Sequence, residues 1–268
     1  MIFALMGLTT YGILHDYQLL ISIGHILLLP SVGLWYAIKR NWSWKSIDKT
    51  MYLAFALGSF ADSVILIDWG RTGEFLSISI ASMMHLLIII VFRKEGTRIY
   101  SDKMQDLPKI AIPFLFIFFF FGYVLMPSVP DSIYLVSIMY ALLEVLLVSH
   151  GFFRIATGKS YLWVIFGVIM VLFKDAIYSF HFFIYNNTKI YLYAIQYPAN
   201  ILAYYMIAVG VAINQNNRKA ISKLSIWIYI KNCFKLLFHF KNFTHFRRTL
   251  IRKSILPLPK NLANSQIG

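Results

Sequence analysis

Charge is scarce in this chain of 268 residues, and negative charge is scarcer still. Only 13% of the residues are charged, and 11 Asp and Glu stand against 25 Lys and Arg. A soluble domain carries about 25% charged residues, so this is not the composition of an ordinary water-soluble protein. The single cysteine, Cys233, leaves no internal disulfide and no thiolate metal cluster. No GxSxG elbow, Walker loop, HExxH, HxxxH or Cys-His constellation occurs in the sequence. Serine-nucleophile and metal-dependent hydrolysis therefore lack a sequence basis, and neither a metal nor another cofactor is expected. No internal repeat or low-complexity linker stands out.

Apolar residues are abundant, at 59% of the chain, and they gather into blocks separated by basic connectors. A helix rises 1.5 Å per residue, so about 20 apolar residues cross the roughly 30 Å hydrocarbon core while satisfying their backbone amides internally. Seven stretches meet this requirement: 18–38, 51–69, 75–92, 110–126, 132–150, 162–185 and 190–213. Residues 1–14 supply a shorter, imperfect eighth. They lack the basic flank of a secretory signal and read as a short or truncated first membrane segment. The expected fold class is all-α: a polytopic transmembrane helical bundle over 1–213, followed by a basic tail over 214–268.

Orientation follows from the Lys and Arg of alternate connectors. Lys39, Arg40, Lys45 and Lys49 fall on one side, as do Arg93, Lys94, Arg98, Lys103 and Lys109, then Arg154 and Lys159, and finally the tail. Only Arg71 and Lys189 fall on the other. The tail is therefore expected in the cytoplasm. Within it, residues 222–253 set Lys231, Lys235, His239 and Asn242 as a polar stripe among Ile226, Trp227, Phe234, Leu237, Phe238 and Phe246. That pattern predicts a helix lying in the headgroup plane. The net charge of +14 sits in connectors and tail, so anionic lipid headgroups, not nucleic acid, are the expected partner. The oligomeric state is left open.

Polar residues inside the spans are few. Asp62, Glu144, Lys174 and Asp175 are charged, with His25, His85, His181, Gln196 and Asn200 as uncharged company. Ionisable groups cost several kcal/mol in a membrane span and mark function. Counted along their helices, Asp62 lies about 18 Å, Asp175 about 21 Å and Asn200 about 20 Å from the inner side. Three polar groups from three helices thus share one layer. If their helices are neighbours, the two carboxyls occupy one low-dielectric cavity, where both cannot easily ionise and one proton is retained. A general acid beside a carboxylate is the arrangement used on acetal-like bonds. Gly58, Ser59 and Ser179 are expected to keep access open. Lys174 has a plainer reading, as a structural partner of Asp62 or Asp175 or as a snorkelling side chain. Glu144 and His150 read as an inner-end solvated face or interhelical glue, and His85 as an interhelical donor.

The stretch 55–66, FALGSFADSVIL, resembles the segment ending in Gly-Asp of the YhhN-like lysoplasmalogenase family of integral membrane proteins. Residues 75–92, with Met84, His85 and Leu86, are similar to that family's next helix, which carries an Ala-His pair. Arg154 followed by 167–183, GVIMVLFKDAIYSFHFF, resembles its Arg and its Ser-Asp segment, and Pro30 stands near its Lys-Pro run. The likeness covers roughly residues 20–213. It implies eight helices and hydrolysis of the vinyl ether bond of a lysoplasmalogen to a fatty aldehyde and a glycerophospho-base, and, with the lack of organelle signals, a bacterial inner membrane as the setting. By the resemblance, Asp62 and Asp175 are the catalytic pair, with His85, Lys174, Asn200, Tyr204 and Arg154 as substrate-binding candidates. The departures are Ala61 for Gly, Lys174 for Ser, Asn200 and Tyr204 for the Tyr and Gln of the last helix, and His25 near the missing basic residue.

A second reading is a transporter or lipid-binding sensor that uses the same acidic residues. It would gain from broken helices at Pro30 and Pro198. The topology has a direct check in the lone thiol: a membrane-impermeant maleimide is expected to label Cys233 in inside-out vesicles and to leave it unlabelled in intact cells. The opposite pattern would invert the orientation.

Overall fold

A computed structural model describes residues 1–67, 69–99, 104–156, 158–185 and 188–218. Among these residues there is no strand. Eight helical segments follow one another: α1 (Ile2–Leu14), α2 (Gln18–Lys39), α3 (Ser46–Ile65), α4 (Arg71–Lys94), α5 (Leu107–Ser128), α6 (Asp131–Phe152), α7 (Gly158–Ile184) and α8 (Ile190–Arg218). The chain divides into a compact unit, Met1–Asn216, and a second unit, Asn217–Gly268. The amphipathic segment expected over 222–253 lies outside the described residues.

Six of these helices, α2 and α4 to α8, are long and apolar enough to cross a membrane. The other two fail for different reasons: α1 has 13 residues, and α3 carries Asp48, Lys49 and Asp62 within its 20. The outer surface suits hydrocarbon, since Leu19, Phe60, Met83, Phe119, Leu135 and Leu162 all point outward. Helix ends depart from the hydropathy pattern by up to five residues. α3 starts at Ser46 where the apolar run starts at 51, and α8 continues past 213 to Arg218. Polar residues at these ends are helical because they are hydrogen-bonded there, and hydropathy does not register that.

At the middle of the bundle stands α8. Of its most apolar stretch 72% is buried, against 17–44% for the other five. It touches α1 through Phe3 and Tyr205, α2 through Trp35 and Tyr205, and α4 through His85 and Tyr204. Against α7 the approach is close. A Cβ at Gly167 would lie 2.9 Å from the Ala203 carbonyl, and one at Gly210 would lie 2.8 Å from the Ser160 carbonyl. Small residues permit such backbone contact where apolar lipid offers no hydrophobic drive for association.

Pro30 and Pro198 both lie in continuous helices. Pro30 has no N–H, which frees the Ile26 carbonyl one turn earlier; the Ser59 hydroxyl of α3 donates to it at 3.3 Å. Ser59 is thereby occupied as a helix-to-helix tie, away from the role of keeping a carboxyl accessible. The irregular backbone falls elsewhere, in π-helical turns at Phe118–Leu125 of α5 and Phe180–Ile184 of α7. Such turns occur frequently at functional sites.

Two buried ionic networks close one end of the unit. Arg40 donates to both oxygens of Asp48 at 2.8 and 3.2 Å, Tyr36 donates to Asp48 at 2.8 Å, and Arg40 also reaches the Asn216 side chain at 2.5 Å. Arg154 donates to Glu95 at 2.5 Å, to Ser160 and to the Gly210 carbonyl, while Asn214 donates to Glu95 at 2.8 Å. The Arg154 and Glu95 side chains are both 0% exposed, so losing one partner strands a buried charge. Arg154→Met is expected to destabilise the folded protein by about 3–5 kcal/mol, read as a lower thermal unfolding midpoint in detergent. The double variant Arg154→Met with Glu95→Leu is expected to recover much of that loss.

Candidate functional site

One cavity of about 120 Å³ gathers residues from α3 to α8, with Leu29 of α2 at its edge. Asp62 comes from α3, Tyr140 from α6, Lys174, Asp175, Tyr178 and Ser179 from α7, and Gln196, Asn200 and Tyr204 from α8. Spacing explains the α7 group. Asp175, Tyr178 and Ser179 are three and four residues apart and lie on one helix face. Lys174 precedes Asp175 directly, and its long side chain bends back so that Nζ reaches Asp175 Oδ1 at 2.7 Å.

The two aspartates have unequal surroundings. Asp175 is held at both oxygens, Oδ1 by Lys174 and Oδ2 by the Tyr140 hydroxyl at 2.9 Å. Lys174 also approaches Tyr140 Oη at 3.4 Å and stands 5.5 Å over the Tyr204 ring. These are the partners expected of an ammonium withdrawn from water. Asp62 Oδ2, by contrast, is buried with no hydrogen-bond partner. Asn200 Oδ1 is likewise buried and unpartnered. One carboxyl is thus tied down and the other is left facing the cavity.

A neighbouring cavity of about 270 Å³ shares Asp62, Tyr178, Gln196 and Asn200 with the first and adds His25, His181, Tyr193 and Tyr197. His25 Nε2 bonds to the Tyr193 hydroxyl, the His25 ring lies 4.6 Å from that of Tyr197, and His181 stacks on Tyr193 at 5.6 Å. The π-helical turn of α7 carries His181.

Five of the seven catalytic and substrate-binding candidates therefore line one cavity, Asp62, Lys174, Asp175, Asn200 and Tyr204, and so do Gln196 and Ser179. His85 does not line it. It is buried behind Tyr204, with Nε2 in an interhelical hydrogen bond 2.7 Å from the Tyr204 hydroxyl and Nδ1 buried without a partner. Arg154 lines none of these cavities, because its donors are taken by Glu95, Ser160 and Gly210 at the end of the bundle. Gly58 lines the cavity but not as open space, since a Cβ there would run into Met84 Sδ. Glu144, read from sequence as an inner-end residue, is buried beside Asp175. His150 instead bonds the Leu146 carbonyl of its own helix at 2.8 Å.

Sequence reasoning missed Tyr140 and Tyr178. Each had a usable signal, Tyr140 one turn from Glu144 and Tyr178 one turn from Asp175, but neither stands out among 17 tyrosines. Comparison with family profiles, with curated proteins and with solved structures gives no match for this chain.

The geometry makes Lys174 and Asp175 one unit. Lys174→Met is expected to lower the unfolding midpoint, because it strands a carboxylate in the interior. Adding Asp175→Leu is expected to restore much of the loss, which would show in a double-mutant cycle as a strong coupling between the two positions.

Proposed function

We propose that this chain is an intramembrane hydrolase of the YhhN-like lysoplasmalogenase type, which cleaves the vinyl ether of a single-chain lipid to a fatty aldehyde and a glycerophospho-base. The observation that carries this reading is the inequality of two carboxyls on one buried cavity: Asp175 is fixed by Lys174 and Tyr140, and Asp62 Oδ2 has no partner. A vinyl ether is cleaved by protonating its outer alkene carbon. The oxocarbenium ion so formed takes up water, and the resulting hemiacetal collapses. The division of labour follows from the contacts. Asp62 is the acid, because its buried Oδ2 has no donor to hold it as a carboxylate oxygen. Asp175, held by an ammonium and a phenol, is the fixed negative charge beside the developing cation. Lys174, which departs from the family's Ser, thus sets Asp175 in the stabilising role. Asn200 offers a free carbonyl oxygen to the substrate, and His85 orients Tyr204 from behind.

In this reading all eight helices span the membrane, α1 and α3 included. The tail is cytoplasmic, anionic lipids bind its basic segment, and the membrane is a bacterial inner membrane. The continuous course of α2 and α8 through Pro30 and Pro198 favours the hydrolase over the transporter or lipid sensor.

The test is aldehyde release from lysoplasmenyl-ethanolamine and lysoplasmenyl-choline by purified protein. Wild type is expected to turn over. Asp62→Asn is expected to lose at least about 10²-fold in kcat while remaining folded and monodisperse, and Asp175→Asn is expected to fall as well. A folded wild type that releases no aldehyde would refute the reading.

A further inference from the structure

Asp175, Tyr140, Ser179 and Phe121 border a second, smaller cavity as well as the central one. It has a volume of about 50 Å³, and its remaining polar wall is Glu144 of α6. Glu144 is 6% exposed, and its Oε1 is buried without a hydrogen-bond partner. Its carboxyl makes a side-chain hydrogen bond with that of Asp175 and interacts electrostatically with Lys174. The cluster therefore sets two carboxyls against a single ammonium, and one of its polar atoms is unsatisfied. Leaving such an atom bare in the interior costs about 1–3 kcal/mol, more if it is charged, so the site is built to be completed by something that hydrogen-bonds.

Size and lining select what completes it. A water needs about 10–15 Å³ of such volume and two to four polar partners. The cavity has room for a few waters, and Glu144, Asp175, Tyr140 and Ser179 supply the partners. The rest of the wall is apolar, including Phe116, Phe120 and Leu172, and favours nothing larger and polar. We infer that the small cavity lined by Glu144, Asp175, Tyr140 and Ser179 holds the hydrolytic water and that Glu144 keeps it there, at the edge of the central cavity.

This rests on the hydrolase reading and completes it. After Asp62 has given its proton to the outer alkene carbon, the electron-poor carbon is the one bonded to the ether oxygen. A lone pair of the water forms the new C–O bond there, the π pair of the oxocarbenium returns to the ether oxygen, and one proton of the water passes to the Asp62 carboxylate. Asp62 then protonates the departing ether oxygen as its C–O bond to the hemiacetal carbon breaks, and takes up the hemiacetal's hydroxyl proton. Aldehyde and alcohol leave, Asp62 is again an acid, and Asp175 keeps its charge throughout. Keeping the water on the Glu144 side holds it apart from the Asp62 proton until the cation exists.

Radiolytic hydroxyl labelling in nanodiscs reads bound water directly, because side chains beside it are modified fastest. Tyr140 and Leu172 are expected to label well above dry core residues such as Val168, to lose that labelling several-fold in Glu144→Leu, and to keep it in Glu144→Gln, which still hydrogen-bonds. In turnover, Glu144→Leu is expected to lower kcat by roughly 10²-fold with KM unchanged. Labelling that does not change in a folded Glu144→Leu variant would overturn the water site, as would wild-type kcat in that variant. A wild type without turnover would overturn the water's hydrolytic role, while the labelling would still decide whether the water site exists.

Discussion

An ammonium held away from water needs a counter-charge at contact distance, and Lys174 finds one in its own neighbour, Asp175, at 2.7 Å. Much of the site hangs on that pair. Tyr140 of α6 donates to the second oxygen of Asp175, the Tyr204 ring of α8 lies under the ammonium, and His85 of α4 fixes the Tyr204 hydroxyl. Four helices are therefore tied to one charge pair, and the cavity they enclose acquires a fixed polarity. Asp62, arriving from α3, meets that field without a hydrogen bond at Oδ2. In a low-dielectric cavity such fixed charges act far more strongly than in solvent.

The buried networks at the end of the bundle serve the same arrangement from a distance. Asn214 and Asn216 of α8 are bound to Glu95 and Arg40, and the Gly210 carbonyl receives Arg154 and Ser160. These contacts lock the register of α8 against the helices around it, and α8 carries Gln196, Asn200 and Tyr204 into the cavity. Buried ion pairs add little net stability over a packed apolar core, but losing one partner is costly. Here they specify one position for the most buried helix.

Sequence carries the helices and much of the site because a polar residue in an apolar run has few neighbours like it. Asp62, Lys174, Asp175 and Asn200 stand out in that way, and counting 1.5 Å per residue puts the two aspartates and Asn200 at a common depth, in keeping with their sharing one cavity. Glu144 reads from sequence as an inner-end residue, yet it lies beside Asp175, because position along α6 alone does not say which residue of α7 it faces. Tyrosines at the site are hidden by the many that merely pack. Arg154 shows the opposite limit: its likeness to a family residue draws attention to it, yet the partner that consumes its donors, Glu95, is 59 residues away in sequence. Helix ends were legible only to within a few residues, since hydropathy records the lipid and not the hydrogen bonds that continue α8 past 213.

The central claim is that Asp62 protonates carbon in a cavity where Asp175 is held as the fixed charge. Hydrolysis of a lysoplasmenyl lipid in D2O tests this directly by mass spectrometry of the aldehyde. Protonation of the outer alkene carbon predicts one solvent deuteron on the carbon next to the carbonyl, in a product that Asp62→Asn releases far more slowly. An aldehyde without that deuteron, or one formed as fast by Asp62→Asn, would contradict the account.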